Sequence, residues 1–195
     1  MSKLITLLLL LIFSPTYSET ISFDITIFGN VIGKMDITRS TDKEGNENYL
    51  LLSKSKAKVL WIVREGLSKF EASYKNGKLI SCSHLEIENN KIKRSTKVIY
   101  DGKNYQVETL NQPSRSFSEV PEESDITMYF SDSKNLKRIF YLPDASFYTL
   151  TSTASNALEF KSSDGHRNVY LFENGKITSM EFHLGFATVY MHRLK

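Results

Sequence analysis

Residues 22–40 read SFDITIFGNVIGKMDITRS, and this stretch decides the fold. Phe23, Ile25 and Ile27 fall on one face, with Ile21 extending it, while Ser22, Asp24 and Thr26 fall on the other. A period of two over this length marks a half-buried β-strand. Gly29-Asn30 interrupts, and Val31, Gly33, Met35 and Ile37 then alternate against Ile32, Lys34, Asp36 and Thr38. Two alternating runs around a tight Gly/Asn turn predict a β-hairpin.

The same grammar recurs downstream. A polar loop (41–48) leads to a strand over 49–58, and VLWIVREG (59–66) holds the only Trp, Trp61. A strand over 67–75 runs into Asn76-Gly77. KLISCSHLEIE (78–88) ends at Asn89-Asn90, KIKRSTKVIY (91–100) at DGKN (101–104), and YQVETL (105–110) follows. Asn, Asp and Gly tolerate the positive φ angles that two-residue hairpin turns require. The pattern weakens over 111–135, where Pro113 and Pro121 mark loops. In PEESDITMYF (121–130), Ser124 reads as the cap of a short helix, although ITMYF also suits a strand. β character returns with KRIFYL (137–142), SFYTLTSTA (146–154), hairpins around Asp164-Gly165 and Asn174-Gly175, and a last strand after a turn at Gly185.

The chain therefore reads as all-β. It is a curved antiparallel meander of about a dozen strands, forming a half-barrel or open barrel, with one or two short helices. A closed barrel is the alternative, because a long meander has to protect its edge strands. Two stretches nearly rhyme, YKNGKLIS (74–81) and FENGKITS (172–179). Their turns match, but beyond Ser81 and Ser179 the match decays: Cys82 meets Met180 and His84 meets Phe182. The repeat reads as hairpin hardware used twice, not as a duplicated active site.

The first 18 residues, MSKLITLLLLLIFSPTYS, combine Lys3, an apolar run from Leu4 to Phe13 and small residues at positions 16 and 18. That is the pattern of a cleaved signal peptide, and the run is about half the ~20 residues a membrane-spanning helix needs. The expectation is a signal peptide over 1–18 and a single β-rich domain over 19–195, exported to the periplasm or the extracellular space. No later run is long enough to span a bilayer, so no integral membrane protein is expected after cleavage.

Losing Lys3 lowers the net charge from +3 to +2, too little to argue for a nucleic-acid partner. The clusters KIKR (91–94) and KNLKR (134–138) read as solvated faces. One cysteine, Cys82, excludes an internal disulfide. No Gly-rich phosphate loop, GxSxG or HExxH motif is present, and no cofactor is expected. Cys82, His84 and Glu86 share a strand face; a polar, wet face explains them better than a hydrolase or metal site. Leu79, Ser81, Ser83, Leu85 and Ile87 read as the core side. His183 pairs with Glu181 on another strand, with His192 on the last one. Trp61 and Met128–Tyr129–Phe130 are the densest apolar spots outside clean alternation, and mark candidate positions for the lip of an apolar-ligand pocket.

The opening FDITIFGNVIGKMDITR, then YLLLSKSKAKVL, YKNGKLISC and finally DGHRNVYLFENGKITSMEF, resemble a family of short exported bacterial proteins, mainly from Bacteroidetes, classed as a domain of unknown function. That family is similar in pattern to exported half-barrel proteins of the lipoprotein-carrier, β-clam type. The resemblance implies a curved antiparallel sheet with an apolar concave face, and carries no catalytic residue. The functional expectation is a non-enzymatic protein binding a lipid or other apolar small molecule on that face. The alternative is a structural envelope component that binds a protein partner. A hydrolase or metal enzyme using Cys82 and His84 is the remote third.

Overall fold

The computed structural model describes residues 17–59, 62–133, 135–184 and 187–195. Among the described residues fifteen strands carry the fold: β1 (Ser18–Ile27), β2 (Asn30–Thr41), β3 (Glu47–Val59), β4 (Ile62–Lys75), β5 (Lys78–Glu88), β6 (Lys91–Tyr100), β7 (Tyr105–Thr109), β8 (Arg115–Phe117), β9 (Arg138–Tyr141), β10 (Ser146–Thr149), β11 (Thr151–Ala154), β12 (Ala157–Lys161), β13 (Arg167–Glu173), β14 (Lys176–His183) and β15 (Thr188–Arg193). Thirteen form one curved antiparallel sheet, in the order β11-β12-β13-β14-β15-β1-β2-β3-β4-β5-β6-β7-β8. The sheet is open, with β11 and β8 at its edges. It consists of two meanders joined where the last strand, β15, pairs with the first, placing Ile25 beside Met191. Among the described residues the helical content is two single 3-10 turns, Thr127–Tyr129 and Leu142–Asp144.

The hairpins carry the turn residues their geometry needs. Asn76, Asn89 and Asn174 open their turns at φ near +50°, each followed by a second residue at positive φ. The opening hairpin turns one residue earlier than its sequence suggests, on Phe28-Gly29, with Phe28 itself at φ +49°. In all four hairpins the third residue after the turn, Ile32, Ile80, Lys93 or Thr178, has no Cα partner across the hairpin. Such a bulge adds one residue to the return strand and shifts its facing.

These bulges correct two assignments of facing. Leu79 is buried, and so are Cys82 and His84, although their spacing would put them on opposite faces of a regular strand. The bulge at Ile80 brings both sets inward, so the Cys82–His84 face is the core side rather than the wet one. In the same way Val31, assigned by alternation to the apolar face, is exposed, while Gly33, Met35 and Ile37 pair with the inward Ile25, Phe23 and Ile21.

Segment 118–150 leaves the sheet and fills part of its concavity. β9 and β10 form a separate two-stranded sheet. Ile126, Met128, Ile139, Phe140 and Leu142 are fully buried in one cluster with Phe23, Ile37, Leu79 and Met180 of the main sheet. Each such side chain contributes roughly 1.5–3 kcal/mol of burial free energy. Tyr129 packs edge-on to Phe23 and donates a hydrogen bond to Met180 Sδ at 3.0 Å. Tyr74 of β4 donates to Ser124 Oγ at 2.7 Å, so this serine joins the insert to the sheet instead of capping a helix. The ITMYF run becomes a single 3-10 turn, in which Thr127 accepts the Ser124 amide and donates to Glu123. Its β-branched and aromatic side chains are committed to tertiary packing.

Candidate functional site

The insert fills the end of the concavity that holds Leu79, Ile177 and the Asn-Gly turns at 76–77 and 174–175. At that end Asp132 sits over Gly175, whose φ is +76° and where a Cβ would come within 2.6 Å of the carboxylate. The other end remains hollow, with a cavity of about 580 Å³. Inward-facing rows across the sheet explain the space. One row runs Ile21–Ile37–Leu51–Phe70–His84–Thr96 and fills its layer. The next runs Phe23–Met35–Ser53–Ser68–Glu86–Arg94, and the one beyond it Ile25–Gly33–Ser55–Gly66–Glu88. Small side chains at the centre of these last two rows leave volume that large ones would occupy. Gly33 is also demanded by contact, since a Cβ there would lie 2.1 Å from the Lys54 carbonyl oxygen.

The cavity has two chemistries. Ile25, Ile32, Met35, Phe182, Val189 and Met191 give it an apolar wall, and Ile126 and Tyr129 of the insert form its floor. The opposite wall is polar. Arg94 reaches Asp144 at 3.1 Å and Asp164 at 3.2 Å, and His166 lies 3.3 Å from Asp164. Burial alone would raise the Asp164 carboxyl, but hydrogen bonds from Ser162 and the His166 amide, with the nearby cations, hold it below the usual range. Asp125 lies at the floor and accepts the Leu142 amide at 3.2 Å. Burial pushes its carboxyl up to about 7 against that hydrogen bond.

His84 stands between the two chemistries. It is 4 % exposed, stacks on Phe70 with ring centroids 4.1 Å apart, and shares a hydrogen bond with Ser68 through Nε2 at 3.2 Å. Burial, aided by the Arg94 cation, pushes its pKa down to about 4, so the ring is neutral at pH 7. Its Nδ1 is buried and has no hydrogen-bond partner. An unpaired buried polar atom of this kind costs about 1–3 kcal/mol.

The residues singled out by sequence are distributed differently. Tyr129 lines the cavity, Met128 is fully buried in the core, and Phe130 lies beyond the floor, beneath the Arg39 guanidinium 5.0 Å from its ring. Trp61 and Gly185 lie outside the described residues. Cys82 is buried one layer below His84, and burial pushes its thiol well up, away from the thiolate a nucleophile or metal ligand needs. His183 bonds Glu181 and Thr188 at 3.2 and 3.0 Å. Among the described residues no group of three His, Cys, Asp or Glu side chains is placed to hold a metal ion. Sequence reasoning missed the residues that make the cavity, Ser53, Ser55, Gly66 and Ser68. Their signal is present as small residues alternating with lysines in LSKSKAK (52–58), and again in GLSKF (66–70).

Comparison with known proteins supports the fold and leaves the activity open. No curated protein matches the chain. A crystal structure of a β-barrel-like protein of domain of unknown function DUF1849 from Brucella abortus superposes with a TM-score of 0.54 at 10% identity, covering 90% of this chain and 95% of that one. At that identity the likeness concerns the fold alone. A porin-like protein from Bacteroides uniformis aligns over 92% of this chain and 98% of its own at 9% identity, with a TM-score of 0.26, too low to carry an argument. Residues 23–194 match the family described as domain of unknown function DUF6134, and the chain belongs to that family.

Proposed function

We propose that this chain is an exported, non-catalytic binding protein whose concave face takes the apolar part of a lipid-like ligand. The observation that carries the reading is the half-filled interior. The insert completes the core at one end, while small residues on three adjacent strands keep about 580 Å³ open at the other. That volume lies within the range of about 300–1,000 Å³ typical of small-molecule sites. The apolar wall suits an acyl or similar chain, and the polar wall carrying Arg94, Asp164 and His166 suits a polar head on the same molecule. The N-terminal stretch MSKLITLLLLLIFSPTYS supports export.

The test is displacement of a fluorescent fatty-acid probe from delipidated protein, with native mass spectrometry of the protein as purified. Ser53→Leu fills the cavity and is expected to weaken the probe at least about tenfold, whereas Ser53→Ala leaves binding near that of the parent. A parent protein that carries no lipid and binds no probe overturns the reading. The unpaired edges at β8 and β11 favour a second reading, in which a partner strand adds to the sheet of an envelope component. A hydrolytic or metal role for Cys82 and His84 has less support, because the thiol is buried and strongly protonated.

A further inference from the structure

We infer that the rim around the cavity mouth docks onto a lipid bilayer bearing anionic head groups. In an antiparallel meander alternate turns share an end, so the β1–β2 and β5–β6 turns lie at the same end as the pairing of Val59 with Ile62 that closes β3 and β4. That end is the mouth, because Ile32, Glu88 and Lys93, all beside these turns, line the cavity. The three most exposed large apolar side chains among the described residues are Phe28 (65 %), Val31 (61 %) and Ile92 (56 %), and all three sit on this rim, with exposed Val63 on the third hairpin. Phe28 and Val31 share one tip and Ile92 stands on another along the same end of the sheet, so exposed apolar side chains line this rim away from any core, as an interaction surface would require.

Two further observations choose the partner. The first is backbone strain. The equivalent turn position is Asn in the other three hairpins, at φ +52°, +48° and +51°. Asn enters the left-handed region readily, but an aromatic residue does so at a cost. Phe28 is held there at φ +49°, its carbonyl accepting a hydrogen bond from the Asn30 side chain at 3.2 Å. An apolar tip has been kept at the expense of the turn. The second is charge. On the β1–β6 half of the rim Lys56, Lys58, Arg64, Lys91 and Lys93 are exposed around the apolar tips; Lys56 pairs with Glu65, and Arg64 and Lys93 with Glu88, which leaves a net excess of three cations. The turns at the opposite end of that half offset their lysines with Asp42, Glu44 and Asp101. Apolar tips ringed by cations fit the interface of an anionic bilayer, where the tips enter the acyl boundary and the cations meet the head groups. The inference extends the ligand-binding reading and rests on it for cargo: a docked rim sets the cavity mouth against the membrane that supplies or receives the ligand.

The experiment is flotation of the full mature chain with vesicles of phosphatidylcholine containing phosphatidylglycerol, compared with phosphatidylcholine alone. Binding is expected to the first, falling as salt rises, and at least tenfold weaker for Phe28→Asn/Ile92→Asn. Phe28→Asn alone should unfold at the same or a higher temperature than the parent, so lost flotation cannot be ascribed to misfolding. Both variants should bind the soluble fatty-acid probe as the parent does. The inference falls if the parent does not float with the anionic vesicles, if the double variant floats equally well, or if the rim substitutions abolish a dimer in solution without any vesicle binding. Probe binding without flotation overturns the docking alone, and flotation without probe binding overturns the ligand reading alone.

Discussion

Arg94 of β6 holds Asp144 of the inserted segment at 3.1 Å, and this ion pair ties the insert to the sheet on the polar side of the cavity. Asp144 is nearly buried and keeps Tyr148 and the Ser163 hydroxyl as further partners, at 2.6 and 2.9 Å. Arg94→Leu removes the compensating charge, while the sheet itself is left intact. Because Arg94 is partly exposed, solvent offsets some of the loss, and a cost of about 1–3 kcal/mol is expected. Urea unfolding measures it; a variant as stable as the parent would mean that the pair does not secure the insert.

Asp125 and His84 give the stability opposite slopes with pH. Asp125 has a folded pKa of about 7, raised by burial above its ordinary 3.8. It therefore favours the fold at low pH and loses that contribution as pH rises from about 4 through 7. His84 has a folded pKa of about 4, lowered by burial from 6.5. Its contribution is complete above pH 6.5 and lost as pH falls through 4. Each pKa unit corresponds to about 1.4 kcal/mol. The two slopes oppose each other over the same window of about pH 4 to 7, so Asp125→Asn should make stability rise with pH there by a few kcal/mol more than in the parent, and His84→Gln should make it fall. Chemical denaturation from pH 4 to 8 reads both, and profiles that keep the parental shape would exclude these groups as the source.

Met128 and Phe130 separate core from surface within one short segment. Met128→Ala empties a fully buried site and is expected to cost about 2–5 kcal/mol. Phe130→Ala loses only a partly buried ring and its contact with Arg39, for about 1 kcal/mol. Neither should alter the affinity of a ligand in the cavity, whereas Tyr129→Ala, which opens the floor, should. Calorimetric unfolding together with probe titration tests the three side by side.

Gly33→Ala probes the close approach of β2 and β3. The added methyl would meet backbone, the Lys54 carbonyl at 2.1 Å, with no flexible side chain to yield. The strands must part or the ladder must break, and a loss of more than about 3 kcal/mol is expected. Gly29→Ala, with open space around its Cβ, meets only the cost of its positive φ and should lose about 1 kcal/mol. Equal losses at the two sites would remove the case for a steric constraint at Gly33.

The hairpins were legible in the sequence because turn chemistry and alternation are local. Asn76-Gly77 and Asn174-Gly175 turn where their residues say, and the rhyme between their stretches proves to include the bulge as well, at Ile80 and Thr178. The bulge itself was not legible, since one unpaired residue leaves no compositional trace, and it moved Cys82 and His84 from the expected outer face to the inner one. The insert was hidden for a related reason. KRIFYL and SFYTL form strands as expected, but nothing local distinguishes a strand of the main sheet from one folded into its concavity. The cavity depends on which small residues fall side by side across β2, β3 and β4, a property of register between distant strands.

The pairing of β1 with β15 has a consequence for how the molecule is made. From β1 to β8 each strand pairs with the one before it, so that half can assemble by local closure as it emerges. β1, at the centre of the finished sheet, keeps its other edge unpaired until the last strand arrives. Closing that contact means joining the two ends of nearly the whole chain, so the slow step of folding should be the docking of the C-terminal meander. Until then Phe23 and Ile25 present a sheet edge and an incomplete core, and this is the interval in which a chaperone would have a reason to bind.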